Sequence, residues 1–331
     1  AISTPRAVLV LKLQGNRLRR ITNLSQFKSL LRINLSHNAI SSFDEIVGDM
    51  IDFVRLADLV VHHNQMTELT EHIARVSNLE VVDCSYNAIT KVHANICNLK
   101  DLRLLNLSHN EIRDVGSLLN LKALEHLDIS HNRIIHLSED FMSNAVALTR
   151  LNLSNNEVVS IPSSICNLRH IEVLDLGHNA IAEIPDRISE MNLTTLILCN
   201  NRLSTIPARK MVRMRKLVNL DIGNNLVFTP ATLRDSVDAN QILTYLVNNQ
   251  TNTQGRSSLS RRHSIENLSI DLSNTETYGD EGAAEDHDRA LNRDRSTTST
   301  DNGDAQDSKS KSLPRQFSFE KRSQFLKVFP H

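Results

Sequence analysis

The sequence predicts an α/β repeat solenoid, with a parallel sheet of short strands on one side and a disordered tail at the C-terminal end. The pattern apolar-x-x-apolar-x-apolar-x-x-Asn-x-apolar recurs ten times between residues 8 and 227. Successive asparagines of this pattern are 22 to 26 residues apart. A unit of that length cannot bury its apolar side alone, so the copies must stack on one another.

Each copy contains an apolar-x-apolar step, such as Leu105-Asn106-Leu107, which has the period of a strand. Parallel strands need a return path, which the residues between two copies supply. The Asn of each copy lies where the chain leaves the strand. Its amide can both donate to and accept from backbone groups of the turn. The ten asparagines are Asn16, Asn38, Asn64, Asn87, Asn110, Asn132, Asn156, Asn179, Asn201 and Asn225.

The pattern resembles the leucine-rich repeat, which implies a horseshoe with a concave parallel sheet. The return segments SIPSSICNLRHI and EIPDRISEMNL carry an Ile-Pro pair and resemble the Ras-group repeats of adenylyl cyclase and Ras-pathway scaffolds. Other copies, EIRDVGSLLNLKAL and RITNLSQFKSLL, resemble the repeats of phosphatase-regulator proteins. The resemblance implies a scaffold in kinase, phosphatase or small-GTPase signalling.

One longer spacing predicts a helix on the convex side. Ser42 or Asp44 can cap it. Its apolar face is Ile46, Met50, Phe53 and Val54, which recur at helical spacing.

The two ends of the array differ. Residues 228–249 predict a cap over the last repeat, because Ile242–Leu246 is apolar on a helical spacing. Residues 1–7 are too short to cover the first strand, and the chain begins at Ala1, so we expect a missing N-terminal segment or a first repeat that frays. We therefore divide the chain into a leucine-rich-repeat domain, residues 1–249, and a disordered tail, residues 250–331.

The composition excludes several classes of function. With 37 basic and 38 acidic residues, the chain gives no reason to expect nucleic-acid binding. It has no run of 18 apolar residues, so we expect no membrane span. It lacks Gly-x4-Gly-Lys-Ser/Thr, His-Glu-x-x-His and Gly-x-Ser-x-Gly, and we predict neither a catalytic residue nor a cofactor.

The four cysteines do not cluster at the ends of the array, where disulfide caps would lie. Small buried thiols in a reducing compartment explain them better. We therefore expect a cytoplasmic protein, with a nuclear location as the alternative.

A partner protein is expected on the concave face. Acidic residues outnumber arginines at its outward positions, and an apolar centre lies among them, although a solvated repeat face would also carry such residues. The residues predicted to contact the partner are Asp58, Val81, Asp83, Tyr86, Leu104, Asp128, Arg150 and Asp175.

Two further motifs occur in the sequence. Five histidines lie directly before an asparagine of the repeat pattern: His37, His63, His109, His131 and His178. The sequence LSHN is common in repeats of this kind, and no Cys accompanies these histidines. We therefore predict no metal site. In the tail, Arg261 and Arg262 precede Ser264, which makes this serine a candidate phosphorylation site.

These observations predict a non-enzymatic adaptor whose partner is a protein, such as a phosphatase catalytic subunit or a small GTPase. The alternative is the regulatory repeat region of a larger signalling enzyme: a kinase, GTPase, phosphatase or cyclase. The two differ in whether a catalytic domain is encoded beside the repeats.

Overall fold

A computed structural model describes residues 8–22, 24–47, 55–118, 120–227 and 238–254. Most of the predicted tail, including Ser264, lies outside these residues, and its first five residues, 250–254, continue the last helix. Of the predicted cap, residues 228–237 also lie outside them.

Ten of the strands form one parallel sheet, in which each strand pairs with the corresponding strand of the neighbouring repeats. The strands of this sheet are β1 (Val10–Lys12), β2 (Arg32–Asn34), β3 (Asp58–Val60), β5 (Val81–Asp83), β7 (Leu104–Asn106), β8 (His126–Asp128), β9 (Arg150–Asn152), β10 (Val173–Asp175), β11 (Thr195–Ile197) and β12 (Asn219–Asp221). A second sheet on the return side joins β4 (Glu68–Leu69) to β6 (Lys91–Val92). The predicted parallel-sheet solenoid is confirmed.

The middle residue of each strand points into the core. Leu105 pairs in register with Val82 on one side and Leu127 on the other, and all three side chains are buried. The apolar residue two positions later, such as Leu107, is buried in the same way. Each repeat therefore covers the apolar side of the next, which is the stabilisation that the repeat pattern predicts.

The return segments contain single helical turns. Two of them begin after Pro162 and Pro185, where proline's fixed φ suits the start of a helix and its missing N–H costs no hydrogen bond. The 3-10 turns are Leu24–Gln26, Glu71–Arg75, Ala94–Asn98, Gly116–Leu118, Ser163–Asn167 and Asp186–Glu190.

The predicted convex helix begins as α1 (Asp44–Val47). Ser42 Oγ accepts the N–H of Asp44 at 3.1 Å, and Glu45 Oε2 accepts the N–H of Ser42 at 3.3 Å. This reciprocal arrangement is a capping box, which satisfies donors that the first turn leaves unpaired. The rest of the predicted helix, residues 48–54, lies outside the described residues.

Two helices lie at the C-terminal end: α2 (Ala208–Met211) and α3 (Ala239–Gln254). Helix α3 packs against α2 and β12, and it buries Ile242, Leu243 and Leu246. Among the described residues, no helix combines the length and apolarity needed to cross a bilayer.

Candidate partner-binding face

From the second repeat onward, the Asn of each repeat bonds the turn to the preceding repeat. Asn132 Nδ2 donates to the carbonyl oxygens of Leu107, Ile129 and Ser130 at 3.0–3.1 Å. Its Oδ1 accepts the N–H of Ile112 at 2.9 Å. A buried amide thus pairs four backbone groups that would otherwise lack partners, as the sequence predicts for this position.

The residue before each Asn has a left-handed backbone, with φ between 52° and 55° (71° at Gly15). Any residue other than Gly or Asn is uncommon there because its Cβ crowds the backbone. In this chain the position holds Gly15, His37, His63, Tyr86, His109, His131, Asn155, His178, Asn200 and Asn224. Because the backbone geometry is the same in every repeat, the side chains at this position line up along the array.

Five of these side chains stack as a continuous column of rings, which we call the ring column: His37, His63, Tyr86, His109 and His131. Neighbouring ring centroids are 3.9–4.3 Å apart, and the planes differ by 11–23°. Repeats stacked at the strand spacing of about 4.8 Å bring flat rings into this contact. Tyr86 is 42% exposed at the middle of the column. The sequence predicts the histidine line, but not its continuous stacking through Tyr86.

The third residue of several strands belongs to the turn. Asp83 Oδ1 accepts the N–H and hydroxyl of Ser85 at 3.0 and 2.7 Å, and Asp83 is 1% exposed. Asp128 makes the same pair of bonds to Ser130 and is 6% exposed. Both aspartates were predicted as outward partner contacts, but their carboxylates are held inside the repeat because the side chain folds over the following turn.

Burial changes the pKa values of the aspartates at the third position of the strands. It raises the pKa of Asp128 above the ordinary value, although hydrogen bonds from Ser130 and Asn152 act in the opposite direction. Burial also raises the pKa of Asp175, whose Oδ1 accepts the N–H of Gly177 at 2.9 Å. These carboxylates therefore contribute less to an acidic binding surface than their number in the sequence indicates.

Ion pairs within the sheet neutralise further acids. Arg32 Nε lies 2.5 Å from Asp58 Oδ2, and Arg103 Nη1 lies 2.9 Å from Glu125 Oε1. Asp58 and Glu125 on this face therefore each lie beside an arginine of the preceding repeat. The charge of this face gives no strong preference for a basic partner.

The first residues of the strands form a row along the sheet. Asp58, Val81, Leu104, His126 and Arg150 follow one another in register across β3, β5, β7, β8 and β9. Val81 and Leu104 are neighbouring half-buried apolar side chains, and Arg150 is exposed. We define the sheet-face patch as Val81, Leu104, His126 and Arg150 of this row, together with Tyr86. His126, absent from the predicted contacts, completes this row, and burial lowers its pKa, which favours the neutral ring.

The cysteines take no part in a disulfide; all four are free thiols. Cys84 lies in the core, and burial raises its pKa well above the ordinary value. Burial also raises the pKa of Cys166 and of Cys199 to about 11. At neutral pH the thiols of Cys84, Cys166 and Cys199 therefore remain protonated and unreactive.

Family models match the repeats directly. A leucine rich repeat model matches residues 54–112 and 113–158, and a model of two leucine rich repeats matches residues 146–189. The matched part includes the whole sheet-face patch. The proposed resemblance to phosphatase-regulator repeats stays a prediction.

Curated relatives share the repeats at moderate identity. The adenylate cyclase of Schizosaccharomyces pombe is 29% identical over 213 residues, which are 63% of this chain and 12% of the cyclase. Osteomodulin of Bos taurus is 26% identical over 64% of this chain and 46% of its own length. Podocan-like protein 1 of Homo sapiens is 28% identical over 69% of this chain and 45% of its own length. The chain therefore spans less than half the length of each of these relatives.

Solved structures have the same fold. The plant peptide hormone receptor RGFR1 in complex with RGF2 matches with a TM-score of 0.56 and 24% identity, over 66% of this chain and 36% of the receptor. PEPR1–AtPEP1 matches with a TM-score of 0.56 and 28% identity, over 66% of this chain and 32% of that one.

These relatives correct the expected location. Osteomodulin, podocan-like protein 1 and the repeat regions of the plant receptors are extracellular or secreted, which points away from the cytoplasm. The prediction of a cytoplasmic or nuclear protein is therefore wrong. It depended on cysteine placement, and free buried thiols are compatible with either side of the membrane when they are packed as small apolar groups.

The fold itself is typically a non-catalytic interaction module, and the family models and curated relatives support a role in protein interaction. The ten-stranded parallel sheet, the asparagine turns and the family matches together identify the chain as a leucine-rich-repeat protein.

Proposed function

We propose that this chain is a protein-interaction module that binds an extended segment of a partner protein on the sheet-face patch. The observation that carries the proposal is the patch itself: two adjacent half-buried apolar side chains, an exposed arginine and an exposed tyrosine in the turn that follows β5, on a face where Asp58 and Glu125 are paired with arginines and Asp83 and Asp128 are buried. Aromatic and arginine side chains dominate the energy of most protein interfaces.

The chemistry of the patch describes the segment that fits it. Val81 and Leu104 offer apolar contact, Tyr86 offers a ring with a polar tip, and Arg150 offers donors to a carboxylate or carbonyl. A partner with one apolar or aromatic anchor and an acceptor near it would satisfy all of these groups. The neighbour PEPR1 is solved together with AtPEP1, which supports a partner on the repeat region.

The test is affinity capture from extracts of the source organism, with identification of the bound proteins by mass spectrometry. The variant carries Tyr86→Asn and Leu104→Asn. Both replacements already occur at the same repeat position in this chain, at Asn155 and at Asn219, so the fold should tolerate them. We expect the partner to be retained by the wild-type chain and lost from this double variant.

The matched control is Val146→Asn, on a return segment, where the side chain is 64% exposed. The control should retain the partner. If the double variant and the control hold the same proteins as the wild type, the partner does not use the sheet face and the proposal fails.

A second candidate function rests on the adenylate cyclase relative, which carries similar repeats within a much longer enzyme. In that case the chain would be the repeat region of a larger signalling enzyme, and a phosphatase subunit or small GTPase would be expected among the captured proteins. The sequence of the complete transcript decides this: a catalytic domain encoded beside residues 1–331 supports it, and an open reading frame without one excludes it.

A further inference from the structure

Three histidines of the second and third repeats lie close together. His37 and His63 are the first two rings of the ring column, with centroids 4.3 Å apart. His62 stands nearly perpendicular to both, at 88° to His37 and 76° to His63. Each of the three offers one ring nitrogen, and these three nitrogens all lie within 4.8 Å of one another.

His62 makes this repeat different from its neighbours. The same position holds a serine in five other repeats: Ser36, Ser85, Ser108, Ser130 and Ser154. Each of those serines donates to an Asn or Asp two residues earlier. In the third repeat the earlier residue is Val60, whose side chain has no hydrogen-bond acceptor, and the serine is replaced by histidine. The local turn bond is lost and a ring nitrogen is placed beside His63 instead.

The backbone holds the cluster in place. The N–H of His37 donates to the carbonyl of His62 at 3.0 Å, and the N–H of His63 donates to the carbonyl of Ser85 at 3.0 Å. His62 is half-buried, whereas His37 and His63 are exposed. The site therefore has one half-buried ligand and two exposed ones, and an ion can enter by rotation of the exposed rings.

The electrostatics favour a cation. The buried carboxylate of Asp83 acts on both His62 and His63. Its Oδ2 is buried without a hydrogen-bond partner in the part of the chain that the structure describes.

We propose that His37, His62 and His63 together bind one divalent transition-metal ion of the Ni²⁺ or Cu²⁺ class. Nδ1 of His62 lies 2.8 Å from Nδ1 of His63. With metal–nitrogen bonds of about 2.0–2.1 Å, this separation sets an angle of roughly 85–90° at the ion. Such an angle suits octahedral or tetragonal coordination better than a tetrahedron, and imidazole is a ligand that Ni²⁺ and Cu²⁺ prefer. Water would complete the coordination.

The experiment is calorimetric titration of the full chain, purified without a polyhistidine tag, with Ni²⁺ in a buffer that contains Mg²⁺. The test variants are His62→Ser and His63→Asn, which place residues found at the same positions of other repeats. The matched control is His131→Asn, at the far end of the ring column and outside the cluster. Circular dichroism checks that each variant keeps the wild-type fold.

We expect one saturable ion per wild-type chain and unchanged affinity in His131→Asn. Each test variant should bind Ni²⁺ at least about 10- to 100-fold more weakly. Removal of a group that only supports a metal ligand already reduces affinity by that factor, and these variants remove a ligand itself. Electron paramagnetic resonance of the Cu²⁺-loaded chain should show three coordinating nitrogens in the wild type and fewer in His62→Ser. Equal affinity of wild type and His62→Ser, or an absence of saturation, would overturn the proposal.

Discussion

At the scale of single residues, the asparagine amides determine whether one repeat stays joined to the next. Asn132→Ala removes four hydrogen bonds from a buried site. Each buried polar group left unpaired costs about 1–3 kcal/mol. We expect the free energy of unfolding, measured by urea denaturation, to fall by at least about 2 kcal/mol.

The control for this prediction is Asn16→Ala, at the same repeat position but exposed in the first repeat. It should change the free energy of unfolding by no more than about 0.5 kcal/mol. A similar loss in both variants would mean that the amide network does not carry the stability of the turn.

Asp128 allows a prediction on pH. Its pKa is raised in the folded chain, so the stability linked to this group is present below the ordinary value of 3.8 and is lost as pH rises through the folded pKa. Asp128→Asn keeps the acceptor for Ser130 and removes the charge, as Asn34, Asn106 and Asn152 do in their repeats. We expect the variant to be at least as stable as wild type at pH 7, with the difference shrinking towards pH 4.

Denaturation at both pH values measures that difference. A variant less stable than wild type at pH 7 by more than about 1 kcal/mol would show that the ionised carboxylate itself stabilises the turn.

The role of the asparagines could be predicted from the sequence, because a side-chain amide suits a turn that needs both a hydrogen-bond donor and an acceptor. Asp83 and Asp128 were misplaced, because the alternation of a strand points its third residue outward while the following turn draws that side chain back. The recurring Asx-x-Ser spacing, as in Asp128-Ile129-Ser130, was the signal for this turn. Gly15 and Asn155, at the position before the asparagine, similarly signal the left-handed backbone that aligns the ring column.

At the scale of elements, each repeat contacts mainly its neighbours, so stability should be lost locally at the ends. Ile242 on α3 is 1% exposed and covers the last repeat. Ile242→Ala should reduce hydrogen-exchange protection in β11 and β12 and leave β7 and β8 unchanged. The expected local cost is about 2–5 kcal/mol.

Thr244→Ala, on the exposed side of the same helix, is the matched control and should leave protection unchanged. Uniform loss of protection along the sheet after Ile242→Ala would show that the array unfolds as one unit and not repeat by repeat.

The elements themselves could be predicted to within a few residues, because the repeat spacing sets strand and return segment in every copy. The length of α3 could not be predicted from the sequence. The apolar stretch Ile242–Leu246 indicates only its buried face, whereas the helix spans Ala239–Gln254 and includes many polar residues. The helix is stabilised by packing against α2 and β12. Helix propensity alone does not determine such boundaries.

At the scale of the whole molecule, the parallel sheet turns a line of separate residues into one surface. Val81 and Leu104 are 23 residues apart in the chain but are register partners in the sheet. The same stacking brings His37 beside His63. Repetition of one turn geometry thus produces both the proposed binding patch and the proposed metal site.

The most direct test of a partner on the sheet-face patch is site-specific photocrosslinking of the full chain in an extract of the source organism. A photoreactive phenylalanine analogue replaces Tyr86 in one sample and Val146, on a return segment, in another. We expect a covalent adduct with the partner from position 86 and none from position 146. An adduct from position 146 alone would contradict this expectation and place the interaction on the return side of the repeats.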